Sequence, residues 1–369
     1  MNASDDRRML DRFVRLCEIA SPTGSERAVA DALLEELRGL GVEASEDGAA
    51  EAARAASGNV IARIPGRGEG WVSFFAHMDT VPHDGPIRVA EENGVFRSAG
   101  DTILGADNKA AVTVLMEMAA RHAGDPAAAG LELVFTPAEE DGRRGAKEVE
   151  IESLRAPFGF VLDHASPIGE VIVAAPTHKH LEATFSGQTA HAGIRPEDGT
   201  NAIAAAAAAV AAMEVGRLDD ETTANVGVIQ GGTASNVVPD RCVVQGEARS
   251  IDGERAAAVL GSMVDACTWA AGEGGCDVDV EVTEKFRGYR LDPDSRPVEV
   301  ASQALRRCSR EPSLVTTGGG SDANALIARG YEAVLLANGT TANHTPEESV
   351  SVRVLEEMLA VCEAAVELC

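Results

Sequence analysis

The sequence predicts a layered α/β domain interrupted by an inserted two-layer α+β domain, on three observations. The chain has 369 residues, more than one hydrophobic core usually organises, so two domains are expected. In both outer segments short apolar runs alternate with helical patterns, the sign of a sheet with helices packed on it. Between about 179 and 287 the order changes to strand, helix, strand, strand, helix, strand.

From Asp5 to Leu40 apolar residues recur at helical spacing, as Met9, Phe13 and Leu16 and then Val29, Leu33 and Leu37, with a break at Ser21-Pro22-Thr23-Gly24. Two helices are expected, the second capped by Thr23 or Ser25 and ending at Gly39 or Gly41. Residues 45–58, rich in Ala, Glu, Asp and Gly, predict a surface loop. The runs 59–64 and 71–76 predict strands, 110–121 a helix, and 131–136 and 158–162 two further strands of a largely parallel sheet. In such sheets chemistry collects at the carboxyl ends of the strands.

The middle segment offers strands at 181–186, 224–230, 243–249 and 278–283, with helices at 201–213 and 254–271. That order is the split unit of ferredoxin-like domains. The alanine run Ala204 to Ala209 fits a packed helix, since Ala is the strongest helix former. The chain then returns with helices at 297–307, 322–329 and 352–368, a strand at 333–336 and the turn Gly318-Gly319-Gly320. The outer domain is thus discontinuous, 1–178 and 288–369, around an insert at 179–287.

Composition narrows the function. With 59 acidic against 32 basic residues the net charge is -27, which repels phosphate backbones and argues against nucleic-acid partners. A solvated acidic surface accounts for the charge without any function. The seven cysteines are scattered with no C-x-x-C pair, so neither a disulfide framework nor a zinc ribbon is expected. No apolar stretch is long enough for a membrane span or a leader, and a cytoplasmic protein is the expectation.

Side chains able to do chemistry cluster after the predicted strands. His77-Met78-Asp79 follows the run 71–76 and places an imidazole and a carboxylate together, the arrangement of a metal ligand with its orienting partner. Asp107, in Gly105-Ala106-Asp107-Asn108-Lys109, either caps the helix that follows or bridges metals. Glu139 and Glu140 follow the strand 131–136, where one carboxylate can hold a metal while the other takes a proton from water. Asp163 ends the run 158–162, and His344 follows the strand 333–336. Each of these is ordinary alone, but five strand ends that each deliver His, Asp or Glu are hard to obtain from packing. Imidazole and oxygen donors without thiolate suit Zn, Co or Mn at a catalytic site.

These residues resemble the M20 metallopeptidases, and within them the peptidase T branch. The resemblance runs over nearly the whole chain. It is carried by His77 to Pro82, Thr102 to Lys109, Thr136 to Glu140, Gly187 to Gly193 and Gly318 to Asn324. It implies a zinc-peptidase catalytic domain with a lid that also dimerises, and two divalent metal ions, zinc first, with cobalt or manganese as alternatives. His77, Asp107 and Asp163 would hold one ion and Asp107, Glu140 and His344 the other, with Asp107 as the bridge. Glu139 would be the general base, Asp79 would orient His77, and His191 would stabilise the oxyanion. Asn236 and Arg249 resemble substrate-contacting positions. The glycine turn is either a tight bend or a source of N–H groups, from Gly319 and Gly320, for a substrate carboxylate.

The chain departs from the branch at Asn108, where a second Asp is usual, at His164, where Gly is usual, and in a loop after Glu140 that is one residue longer. None of these removes a ligand. The expected activity is exopeptidase cleavage of small peptides, tripeptides from the N-terminus foremost. Hydrolysis of N-acyl amino acids on the same centre is the alternative, and a non-catalytic binding protein the lesser one.

Overall fold

The computed structural model describes residues 3–369; Met1 and Asn2, which open the polar N-terminal stretch, lie outside the described residues. The chain divides into two compact units. One comprises the residues up to Val173 with Leu291–Thr316 and Ser321–Cys369, and the other comprises Ala174–Arg290 with Thr317–Gly320.

The first unit is built on a mixed sheet whose strands run in the order Glu43–Glu46, Val60–Ile64, Gly130–Thr136, Trp71–His77, Phe158–His164, Glu332–Ala337 and Glu170–Ala175. The central four strands pair in parallel. Glu43–Glu46, Val60–Ile64 and Glu170–Ala175 join their neighbours antiparallel, so the sheet is mixed where the sequence predicts a largely parallel one. The central strands are buried and mostly apolar, as strands covered on both faces are, with Ser73 and Glu132 as paired polar exceptions. His77 pairs in register with Thr136, and Leu336 with Leu162. The segments that follow these strands therefore emerge at one sheet edge.

Packing fixes that register. Phe74 and Phe160 lie with ring centroids 5.3 Å apart, both fully buried, and each aromatic side chain removed from water contributes about 1.5–3 kcal/mol. Gly159 is needed for close approach, because a Cβ there would lie 2.7 Å from the Phe75 ring. The helix Ala106–His122 is buried on almost every side. Its Glu117 is fully buried and is compensated by Arg8, Arg12 and Arg121.

Several local expectations change. The second helix, Arg27–Gly39, is preceded by Glu26 and has no side-chain cap. The Thr23 hydroxyl donates instead to Asp79 Oδ2 at 2.9 Å. The carboxylate of Glu26 accepts from Gly24 N and Ala56 N and so ties down the 45–58 segment. That segment is not all loop, since Glu43–Glu46 pairs with Val60–Ile64. The strand Glu170–Ala175 and the hairpin Val89–Glu92 with Val95–Ser98 also arise without being foreseen. All are short, and short strands carry little periodicity of their own.

The second unit is an antiparallel sheet in the order Gly216–Asp219, Thr222–Gly231, Arg241–Ser250, Thr177–Ser186 and Asp277–Phe286. The helices Ala202–Ala212 and Gly253–Gly274 pack on it, burying Leu181, Phe185, Ala206, Val244, Leu260 and Met263. Its long strands and two helices follow the split unit predicted from sequence. Asn201 caps the first helix through Ala204 N, and Asp252 caps the second through Glu254 N and Arg255 N.

Candidate metal centre

His77 is the last residue of its strand. Its Nδ1 lies 3.0 Å from the backbone oxygen of Asp79 and 3.5 Å from Asp79 Oδ1. A proton held on Nδ1 by that carbonyl leaves Nε2 as the coordinating atom. Nε2 faces Asp107 Oδ1 at 3.2 Å and Asp163 Oδ1 at 3.4 Å. Burial would depress the imidazole, but Asp163 and Asp107 outweigh it and raise its proton affinity well above the ordinary value.

Asp107 does not cap its helix. Gly105 enters at φ 75°, the peptide Asp107-Asn108 is cis, and no side chain caps the helix start. The carboxylate turns instead to two imidazoles, with Oδ1 toward His77 and Oδ2 at 3.2 Å from His344 Nε2. Asn343 donates to the same Oδ2 at 2.8 Å. Burial works against ionisation here, yet hydrogen bonds from His344 and His77 hold the carboxyl well below the usual range.

Glu140 Oε1 lies 2.9 Å from His344 Nε2. Two sets of donors thus meet at Asp107: Oδ1 faces His77, which also faces Asp163, and Oδ2 faces His344, which also faces Glu140. Donor separations of 2.9–3.4 Å are close to the roughly 3.3–3.6 Å spacing of N and O atoms around a tetrahedral ion bound at about 2.0–2.2 Å. The residues present fit divalent metal. One donor atom each from His77, Asp107 and Glu140, and from His77, Glu139 and Asp163, also lie within 4.8 Å of one another.

Glu139 is buried, with Oε1 3.1 Å from Arg143 Nε. Burial, reinforced by Asp163 and Asp322 and opposed by Arg143, pushes its carboxyl well above the ordinary glutamate value. Burial likewise pushes Asp163 up to about 7, against the pull of His77. A carboxyl with raised proton affinity beside metal donors is equipped to take and return a proton.

The Asp79 carboxylate lies 3.5 Å from His77 Nδ1, where an orienting partner is expected, and it has a second set of contacts. It accepts from Glu139 N at 2.9 Å, Glu140 N at 3.2 Å and Thr23 Oγ1 at 2.9 Å. All three contacts are shorter than the 3.5 Å to the imidazole. Asp79 thus holds the turn that presents both glutamates, and its backbone carbonyl orients the ring.

The remaining predicted residues belong to the second unit. His191 and Asn236 are exposed neighbours on a small ribbon, where Ala190–His191 pairs with Val237–Val238 and Asn236 O accepts from Ala192 N. Arg249 is held by Glu247 through Nε and Nη2 at 2.9 and 3.0 Å, and it donates from Nη1 to Gly318 O at 2.9 Å. In the glycine turn Gly319 N donates to Thr317 Oγ1. A Cβ on Gly320 would meet the Phe286 ring at 2.6 Å, so close packing accounts for that glycine.

Sequence reasoning missed several polar residues around the donors. Asn343 is bonded to Asp107, and buried Asn108 donates to Leu162 O at 2.8 Å. Lys109 is fully buried with Nζ 2.5 Å from Ser21 Oγ. Asp322 accepts from Thr136 Oγ1. Glu348 binds the backbone around Asp107. The local signals were adjacency to His344 or Asp107 and, for Asp322, its place in the Gly318 to Asn324 stretch.

The chain is similar to known proteins along nearly its whole length. The family model of the M20 peptidase dimerisation domain matches residues 174–275, and that of peptidase family M28 matches 59–186, the stretch that carries His77, Asp107, Glu139, Glu140 and Asp163. The YqjE protein of Bacillus subtilis is 35% identical over 98% of this chain and 97% of its own. The aminopeptidase PepT of Bacillus cereus superposes with a TM-score of 0.89 at 37% identity, covering 98% of both chains. A tripeptidase of Staphylococcus aureus superposes with a TM-score of 0.93 at 31% identity, again over 98% of both.

Proposed function

Because this chain belongs to the M20 metallopeptidases, in the branch of peptidase T and its relatives, and is a metal-dependent hydrolase, we propose that it removes N-terminal residues from short peptides, tripeptides foremost. The observation that carries the proposal is the two sets of donors that meet at Asp107, with Glu139 beside them. The similarity to an aminopeptidase and a tripeptidase at more than 30% identity supports the substrate class.

In this proposal His77, Asp107 and Asp163 hold one divalent ion, and Asp107, Glu140 and His344 hold a second, zinc foremost. When bound, such ions polarise the scissile carbonyl and make a water molecule acidic. Glu139 accepts the proton of that water and returns it to the leaving amine. Asp79 keeps Glu139 and Glu140 on a fixed turn during both transfers. His191 as oxyanion donor and Arg249 and Asn236 as substrate contacts rest on the family resemblance. The tie of Arg249 to Glu247, which fixes the plane of the guanidinium, supports a recognition role.

A catalytic domain of 1–178 and 288–369 with an inserted lid of 179–287 belongs to the same proposal, supported by the two compact units. Homodimer formation through the insert is supported by the match to a dimerisation domain, and sedimentation tests it. Among the described residues no helix is long and apolar enough to cross a membrane.

The test is release of amino acids from tripeptides, dipeptides and N-acetyl amino acids by metal-stripped protein, with and without Zn, Co or Mn. Metal-restored release of the N-terminal residue from tripeptides is the expected result. Turnover of acetylated substrates alone would replace the substrate class, and no turnover of any would refute the proposal.

A further inference from the structure

Glu348 lies outside both sets of donors, yet it makes a concentrated group of hydrogen bonds to the backbone beside them. It is 1% exposed. Its Oε2 accepts from Leu104 N and Gly105 N, each at 2.8 Å, and its Oε1 accepts from Asp107 N at 2.8 Å. Three backbone donors more than 240 residues away in sequence thus converge on one carboxylate. Those donors belong to the turn that enters the helix Ala106–His122 and needs φ 75° at Gly105. Without Glu348 their N–H groups would be buried and unpaired.

The other end of Glu348 is equally fixed. Thr341 and Ser349 exchange backbone hydrogen bonds in both directions, closing a short loop. Within it Glu348 N donates to Thr345 O, and Thr345 Oγ1 donates to Ala342 O. His344 sits in that closed loop at φ 66°. One rigid loop therefore offers His344 toward Asp107 Oδ2 while its Glu348 grips the backbone of Asp107 itself.

We infer that Glu348 is a positioning residue that sets the separation between Asp107 and His344, and through it the metal affinity and turnover of the centre. The inference rests on the proposed metal centre. Glutamine is the discriminating substitution, because its single oxygen can serve Leu104 N and Gly105 N while its NH2 would face Asp107 N–H, donor against donor. The substitution therefore breaks the hydrogen bond to Asp107, the ligand at which both sets of donors meet. Partners that orient metal ligands typically change affinity or activity by roughly 10- to 100-fold when removed.

The experiment measures zinc affinity, kcat and KM on a tripeptide, and the unfolding midpoint of the metal-free chain, for wild type and Glu348→Gln. The expected result is zinc affinity and kcat each lowered about 10- to 100-fold, KM unchanged, and partial recovery of kcat in excess zinc. Wild-type affinity and kcat in the variant overturn the inference. So does a lowered midpoint whose folded fraction binds zinc as wild type does, which is a structural role only.

Should the variant not fold, amide exchange in the wild-type holoenzyme decides. Protected amides at 104–107 that stay protected after metal removal support the grip of Glu348, and rapid exchange there overturns it. A wild-type protein that neither binds zinc nor cleaves peptides would instead remove the proposed function, and the exchange result would still report on Glu348.

Discussion

Glu139→Gln separates proton transfer from metal binding. Glutamine keeps the shape of the side chain and leaves the Glu139 N–H on Asp79, so the turn that carries Glu140 is undisturbed. What it removes is a proton acceptor, a loss that usually slows turnover by about 10²- to 10⁴-fold. The surroundings point to the upper part of that range, because four of the neighbouring carboxylates are already engaged. Asp79 already accepts three hydrogen bonds, Asp107 and Glu140 face His344, and Asp163 faces His77. A fall in kcat of roughly 10³- to 10⁴-fold is therefore expected, about 4–5.5 kcal/mol of transition-state stabilisation. The assay is initial-rate kinetics on a tripeptide, with metal content per chain measured on the same preparation. If metal is retained and kcat falls by less than about tenfold, far short of a general base's usual contribution, Glu139 is not the base.

Other consequences follow from the same structure. Chelation should abolish turnover and lower the unfolding midpoint, both reversibly, since a ligand at 1,000 times its Kd stabilises a fold by about 4 kcal/mol; an unchanged midpoint in thermal unfolding would exclude a bound metal. Glu117→Gln should destabilise the chain by about 1.5–3 kcal/mol in denaturant titration, because buried Arg12 keeps only Glu36 as a charged partner. Burial alone would raise the Glu117 carboxyl, but its hydrogen bonds to Arg8, Arg12 and Arg121 hold it below the ordinary value. Its contribution is thus complete above the unfolded value of about 4.3 and disappears as pH falls through the lower folded value, so the variant should lose less stability on acidification than wild type. His122 shows the opposite sign: burial would lower it, but Glu363 raises it. Its contribution is complete below the unfolded value of about 6.5 and fades as pH rises through the folded one, and the denaturant midpoint of Glu363→Gln should be correspondingly flatter as pH rises above about 6.5.

Much of the fold was legible because long elements carry their own signal. The helix over 254–271 and the strands over 71–76 and 131–136 announce themselves by period and apolar runs, and the structure extends them by a few residues. The antiparallel flanks of the sheet were not legible, since the direction of Val60–Ile64 depends on which strand it meets, Gly130–Thr136, about 70 residues later. Thr23 looked like a helix cap from its neighbours, and its hydroxyl is instead used by Asp79, 56 residues away.

The same division holds at the candidate centre. Sequence alone determined which side chains stand after strands, because that is a property of a few consecutive residues: His77 closes one apolar run, Glu139 and Glu140 follow another, and Asp163 ends a third. Tertiary structure alone decided that donor atoms of His77, Asp107, Asp163, Glu140 and His344 meet in pairs about 3 Å apart, that Asp79 holds the Glu139 turn, and that Glu348 holds the Asp107 turn. The reason is physical. Residue type and local pattern fix what a group can do, whereas a hydrogen bond to a buried backbone N–H depends on a partner that only the folded register brings within reach.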